Sequence, residues 1–166
     1  MKYAFEQKQF VIASDPTAFS LKEQIKAYFE KKGYIIEDVG TCAENEVAYY
    51  DAGSRAAEAV QAKKYEFGIV LCGSGMGVCL AANRIPGIYC AVCETIHTAK
   101  LSRVINNANM LALGASIVAP DLAINMVEAF IHTEFLEGKE GGDRKFLESA
   151  VEEIARIEEK AIKQYR

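Results

Sequence analysis

A cysteine leading into three alternate glycines, Cys72-Gly73-Ser74-Gly75-Met76-Gly77, is where this 166-residue chain could do chemistry. Gly73, Gly75 and Gly77 permit a tight turn whose backbone N–H groups converge on one concavity at a helix N-terminus. Such a nest binds anions or stabilises a developing negative oxygen. It is not a dinucleotide fingerprint: the third glycine falls two residues after the second rather than three, and the loop follows the third strand rather than the first. It is not a P-loop, because no Gly-Lys-Ser/Thr follows. A glycine turn between strand and helix is equally a packing device, so the weight rests on Cys72, the last residue of the strand. A thiol there, beside several N–H dipoles, is placed to act as base or nucleophile. Its bland alternative is a small buried hydrophobe. Ser74 adds a hydroxyl two residues on.

The other cysteines carry less. Cys42, Cys72, Cys79, Cys90 and Cys93 are odd in number and suggest no disulfide framework. Free thiols fit a reducing cytoplasm. Cys90 and Cys93 form a CxxC inside the strand-like Tyr89-Cys90-Ala91-Val92-Cys93, where residues three apart point to opposite faces, so both read as buried structural thiols. His97 opens a helix beside the loop and could contact a ligand; capping or surface exposure is its plainer role. His132 is assigned nothing. No His/Asp/Glu cluster suggests a metal.

Short apolar runs and amphipathic stretches alternate to position these residues. Strands are expected at Phe10 to Ala13, Tyr34 to Val39, Phe67 to Cys72, Tyr89 to Cys93 and Met110 to Leu113. Helices are expected from Phe19 to Lys32, Glu46 to Lys63, the glycine turn to about Asn83, His97 to about Ile105, Pro120 to about Phe135, and about Arg144 to the end. Phe67-Gly68-Ile69-Val70-Leu71-Cys72 is apolar throughout, the mark of a central parallel strand buried on both faces. The alternation predicts one domain with a doubly wound, Rossmann-like α/β/α sandwich around a five-stranded parallel sheet. Ligands in such sheets bind beyond the carboxyl ends of the strands, which directs attention to Asp15, to the glycine loop, and to Glu94-Thr95-Ile96-His97.

Composition excludes several classes. With 23 acidic and 19 basic residues the net charge is −4, which offers no basic face for nucleic acid. No apolar run approaches the roughly 20 residues of a membrane span. The leader Met1 to Lys8 is too short and polar for a secretory signal, so a cytoplasmic protein is expected.

Several stretches together resemble a known family: Asp15 with Phe19 and Leu21-Lys22; Tyr49-Tyr50-Asp51; Ile69 through Gly77; Ala81-Ala82-Asn83-Arg84; and Leu101-Ser102-Arg103 through Asn106-Asn107-Ala108-Asn109 to Gly114. In order and spacing they resemble the type B ribose-5-phosphate isomerase and galactose-6-phosphate isomerase family of aldose–ketose isomerases, from about Phe10 to Phe135. The resemblance implies that Cys72 moves a proton between carbons one and two of an open-chain sugar through a cis-enediolate. Ser74 and the N–H groups of Gly75, Met76 and Gly77, beside Gly73, would hold the oxyanion. Asp15 would shuttle hydroxyl protons, and Tyr49 and Asn106 would hold sugar hydroxyls. No cofactor is implied. A homodimer or a tetramer with sites shared between subunits is implied, the C-terminal helix serving dimerisation.

Departures narrow the substrate. The family's Asp-His pair is Asp15-Pro16 here, and its His-Asn pair is Ile105-Asn106. The missing histidine is the one that opens a furanose ring. The family's arginine after the fifth strand falls at Ser116, and its paired C-terminal arginines are not recoverable, leaving Arg144, Lys145 and Arg84 as candidate cations. A four-carbon sugar with phosphate or sulfonate on its terminal carbon cannot close a five-membered ring and needs no such histidine. Erythrose/erythrulose 4-phosphate or its 4-deoxy-4-sulfo analogue is therefore the expected substrate. Alternatives are ribose 5-phosphate, galactose 6-phosphate, a nonphosphorylated deoxyketo-uronate, or a non-catalytic role as partner subunit or sugar sensor. Joint retention of Cys72, Ser74 and Asp15 favours catalysis. Lys22, Asp51 and Arg103 serve equally as structural ion pairs.

Overall fold

The computed structural model of the chain describes residues 4–165. The leader reading falls partly on residues 1–3, outside the described ones. Five strands, β1 (Gln9–Ser14), β2 (Ile35–Asp38), β3 (Gly68–Cys72), β4 (Cys90–Val92) and β5 (Met110–Gly114), form one parallel sheet in the order β2-β1-β3-β5-β4. Six helices join and cover them: α1 (Phe19–Lys31), α2 (Tyr49–Gln61), α3 (Met76–Ala82), α4 (Ile96–Asn106), α5 (Pro120–His132) and α6 (Gly141–Tyr165). A single 3-10 turn, Pro16–Ala18, precedes α1.

The strand alternation sorts the apolar residues into two layers. Phe10, Ile12, Ile69, Leu71, Leu111 and Leu113 face one side, against Ile25 and Phe29 of α1 and Met126, Val127 and Phe130 of α5. Val11, Ala13, Val70, Cys72, Met110 and Ala112 face the other, against Ala52, Ala56 and Val60 of α2 and Val78 and Cys79 of α3. Burial on both faces explains why the central strands read as continuous apolar runs. The alanines of α2 answer to its close approach to α3, where a β-carbon on Gly53 would stand 2.6 Å from the Val78 carbonyl oxygen. Cys90 joins the second layer and Cys93 the first, as their spacing requires. No helix among the described residues is long and apolar enough to cross a membrane.

Three boundaries differ from the sequence expectation. α2 begins at Tyr49, because Thr41 closes the preceding loop on itself, its Oγ1 accepting the Val47 N–H at 2.9 Å. α5 stops at His132, and Thr133 leaves in extended conformation with its hydroxyl donating back to the Ala129 carbonyl at 2.6 Å. Phe135 and Leu136 then bury against Val151 and Leu147 instead of continuing the helix. α6 begins at Gly141, so Gly141 and Gly142 lie inside its first turn rather than before it.

Lys22 and Arg103 are fully enclosed. Lys22 pairs with Asp38 and with Glu23 (2.5 Å), and Lys26 with Asp38 (2.7 Å). Asp51, by contrast, is exposed in the first turn of α2. Burial pushes the Asp38 carboxyl up, but hydrogen bonds from Lys22, Lys26 and the Gly40 N–H outweigh burial and hold it below its ordinary value. A depressed carboxylate contributes stability above its unfolded pKa, about 4, and loses it as pH falls through the folded value. Asp38→Asn is therefore expected to melt below the parent at neutral pH and to show a shallower decline below about pH 4, measured by thermal melts through the acid range.

Candidate active site

In the order β2-β1-β3-β5-β4 the chain passes from β1 to one side and returns to β3 on the other, so β1 and β3 flank the switch point where α/β sheets open a crevice. Their carboxyl ends are tied by the Asp15 N–H donating to the Leu71 carbonyl at 3.3 Å. Asp15 and Cys72 leave these two strand ends side by side, and both are buried.

The loop from Gly73 to Gly77 is seated backbone on backbone. Gly75 takes φ +78°, and a β-carbon there would fall 2.9 Å from the Leu113 carbonyl carbon; one on Gly114 would fall 2.6 Å from that of Ser74. Ala115 and Ser116 donate their N–H groups to the Cys72 and Gly73 carbonyls, each at 2.9 Å. This seating aims the Gly75 N–H at Cys72 Sγ, 3.1 Å away, and the Met76 N–H at Ser74 Oγ, 3.3 Å away. The Tyr49 ring lies over Gly77: a β-carbon there would meet its ring carbons at 2.9 Å. Asp15 Oδ1 accepts the Thr17 hydroxyl at 2.5 Å and the Ala18 N–H at 3.2 Å. The two strand ends and the loop thus bring together a thiol, a hydroxyl, two loop N–H groups, a carboxylate and a tyrosine ring.

The remaining candidates lie elsewhere. His97 is exposed in the first turn of α4, after edge strand β4, which β5 separates from β3. It is not the cap: Thr95 and Thr98 cap that helix reciprocally. Asn106 ends α4 just before Met110 opens β5, and Met110 pairs with Gly68 while Gly114 pairs with Cys72. Asn106 therefore sits at the amino end of the sheet, with about 13 Å of strand between that end and Cys72. Arg144 lies near the start of α6, paired with Glu148 at 3.4 Å, in a cleft of about 600 Å³ lined also by Glu134, Glu137, Lys139 and Glu140. Within one chain neither residue reaches the thiol.

Two features escaped the sequence reading. Thr17 bonds Asp15 and also approaches the loop, 3.5 Å from where a β-carbon of Gly73 would stand; as a lone threonine after Asp15-Pro16 it gave no signal. Cys79 is the thiol whose pKa is moved down, to about 7, chiefly by the Cys90 side chain against the opposing effect of burial.

Comparison with known proteins agrees with this architecture. Residues 10–145 match the family described as Ribose/Galactose Isomerase. The chain is 39% identical over 150 residues to the 4-deoxy-4-sulfo-D-erythrose isomerase of Clostridium sp. (strain MSTE9), covering 90% of this chain and 94% of that one. It is 37% identical over 133 residues to the D-erythrulose-4-phosphate isomerase of Pectobacterium atrosepticum, covering 79% and 84%. The solved structure of Clostridium thermocellum ribose-5-phosphate isomerase B superposes with a TM-score of 0.83 at 39% identity, covering 92% of this chain and 98% of that one. The switch-point crevice, the glycine loop behind its cysteine and these matches over most of the chain together place it in the ribose/galactose isomerase family.

Proposed function

We propose that this sugar isomerase interconverts an open-chain four-carbon aldose and ketose with an anionic terminus, 4-deoxy-4-sulfo-erythrose and -erythrulose or the corresponding 4-phosphates. The observation that carries the reading is that Cys72, its Sγ under the Gly75 N–H, and Asp15 leave adjacent strand ends. Cys72 as thiolate takes the proton from the carbon beside the carbonyl and returns it to the neighbouring carbon. The cis-enediolate between these steps is held by Ser74 and the loop N–H groups, while Asp15 moves a proton between the two oxygens. Hydrogen is only relocated, so the reaction needs no external oxidant or reductant. Ile105 supports a substrate that never closes a ring, and two relatives are named for four-carbon sugars.

Placement of Asn106 and Arg144 at the amino end supports a site completed by a second copy, in a homodimer or a tetramer. Exposed Met76 and Leu80 on α3 and Ile154 and Ile157 on α6 supply apolar surface for it. His97, Lys145 and Arg84 remain candidate contacts for such a shared site, and the protein is proposed to work in the cytoplasm.

Proton exchange followed by NMR in deuterated water tests the reading, with erythrose 4-phosphate, its 4-deoxy-4-sulfo analogue, ribose 5-phosphate and a deoxyketo-uronate offered separately. Deuterium entering beside the carbonyl of a four-carbon substrate, with ribose 5-phosphate inert, is the expected result. Prompt turnover of ribose 5-phosphate overturns the argument from Ile105, and silence on all four favours a partner subunit or sensor.

A further inference from the structure

Asp15 has two unlike oxygens. Oδ1 is committed twice, to the Thr17 hydroxyl at 2.5 Å and to the Ala18 N–H at 3.2 Å. Oδ2 takes no hydrogen bond from any described residue. The turn that creates this asymmetry is short and depends on Pro16, whose fixed φ starts the 3-10 helix and carries Thr17 back over Asp15. A backbone N–H alone would cap the turn; the Thr17 hydroxyl adds a second donor to the same oxygen and stops the carboxylate rotating about its terminal torsion, which is otherwise broad. Thr17 is itself exposed and stands beside Gly73, next to the loop that holds Cys72.

We propose that Thr17 is a positioning residue of the isomerisation: its hydroxyl pins Asp15 Oδ1 so that Oδ2 is the oxygen presented to the sugar hydroxyls. The inference rests on the proposed reaction. Only the movement of hydroxyl protons depends on it; removal of the carbon-bound proton belongs to Cys72. Losing a hydrogen bond to a carboxylate corresponds to a change of about tenfold or more.

The test compares Thr17→Val, which keeps the shape, and Thr17→Ser, which keeps the hydroxyl, with the parent on the four-carbon substrate that the parent turns over. Thr17→Val is expected to lower kcat about tenfold with KM within about twofold and the melting temperature lower by no more than about 5 °C, while Thr17→Ser restores kcat. A second readout is the deuterium washed into carbon per product formed. It should rise in Thr17→Val, because the enediolate waits longer for its oxygen-bound proton to move, and a merely structural loss would not raise it. Should valine crowd the turn and unfold the protein, Thr17→Ala replaces it. Parental kcat and wash-in for the variant lacking the hydroxyl overturn the proposal, as does an equal loss in Thr17→Ser. A parent that turns over none of the sugars overturns the isomerase reading itself, a distinct outcome.

Discussion

Cys72→Ala should leave a folded protein that no longer exchanges the carbon-bound proton, with kcat lower by about 10²–10⁴-fold or more. The Sγ atom ends β3 on the crevice side, and the Gly75 N–H points at it from 3.1 Å. Alanine removes the proposed base and also leaves that N–H, on a buried residue, without its acceptor. An unsatisfied buried donor costs about 1–3 kcal/mol, which in a chain of this size lowers the melting temperature by several degrees. Cys72→Ser separates the two effects. Its hydroxyl can accept the same N–H, so stability should return, while a hydroxyl is far too weak a base to restore turnover. Loss of the substrate C–H signal in deuterated water, read beside thermal melts, gives both quantities. Full activity in Cys72→Ala would sink the mechanism.

The largest effect on stability is expected at Arg103. Its side chain is 1% exposed and ties three chain segments together. Nη1 donates to the Ala108 carbonyl at 2.6 Å and to Asn107 Oδ1 at 3.0 Å, and Nε donates to the Thr133 carbonyl at 3.3 Å. The guanidinium carbon stands 4.1 Å from the ring centre of Phe5. Burial pulls its pKa down to about 10, still far above neutrality, so the group is charged where the protein works. Arg103→Met fills most of the volume but strands acceptors at the end of α4, the start of β5 and the exit of α5. At about 1–3 kcal/mol for each orphaned group, and 2–4 °C per kcal/mol for a chain of this length, the melting temperature should fall by about 10 °C or more. Arg103→Lys should recover little, since one ammonium cannot reproduce the planar fork. A melt within about 2 °C of the parent would show that these contacts are dispensable.

The sheet was legible because its strands are short apolar runs whose two faces both meet helices; Ile69-Val70-Leu71-Cys72 could hardly be anything else. The opposite facing of Cys90 and Cys93 followed from the same period. The insertion of β5 between β3 and β4 was not legible, since nothing local to Met110–Gly114 states which neighbour it will pair with. Phe135 keeps helical spacing with the apolar residues of α5 but is captured by Val151 and Leu147 of α6, a contact no local pattern announces. At the site, the glycine loop, Cys72 and Asp15 could be named from motif and resemblance. Thr17 could not, because a threonine becomes informative only once the 3-10 turn has folded it onto a carboxylate. Nor could the far placement of Asn106 and Arg144, which depends on the direction in which α4 and α5 run back along the sheet.

The seating of Ser74 on Gly114 and of Gly75 on Leu113 has a consequence for how such a chain can diverge. Two segments 40 residues apart are joined through main chain alone, and each of the two glycines is needed because the other's neighbour is too close for a side chain. Neither position can be changed first, so no single-step path leads away from this loop. Gly142, by contrast, has open space around it. Such a loop is expected to resist change at these two positions, while Pro16, Thr17 and Ile105 lie outside that main-chain contact.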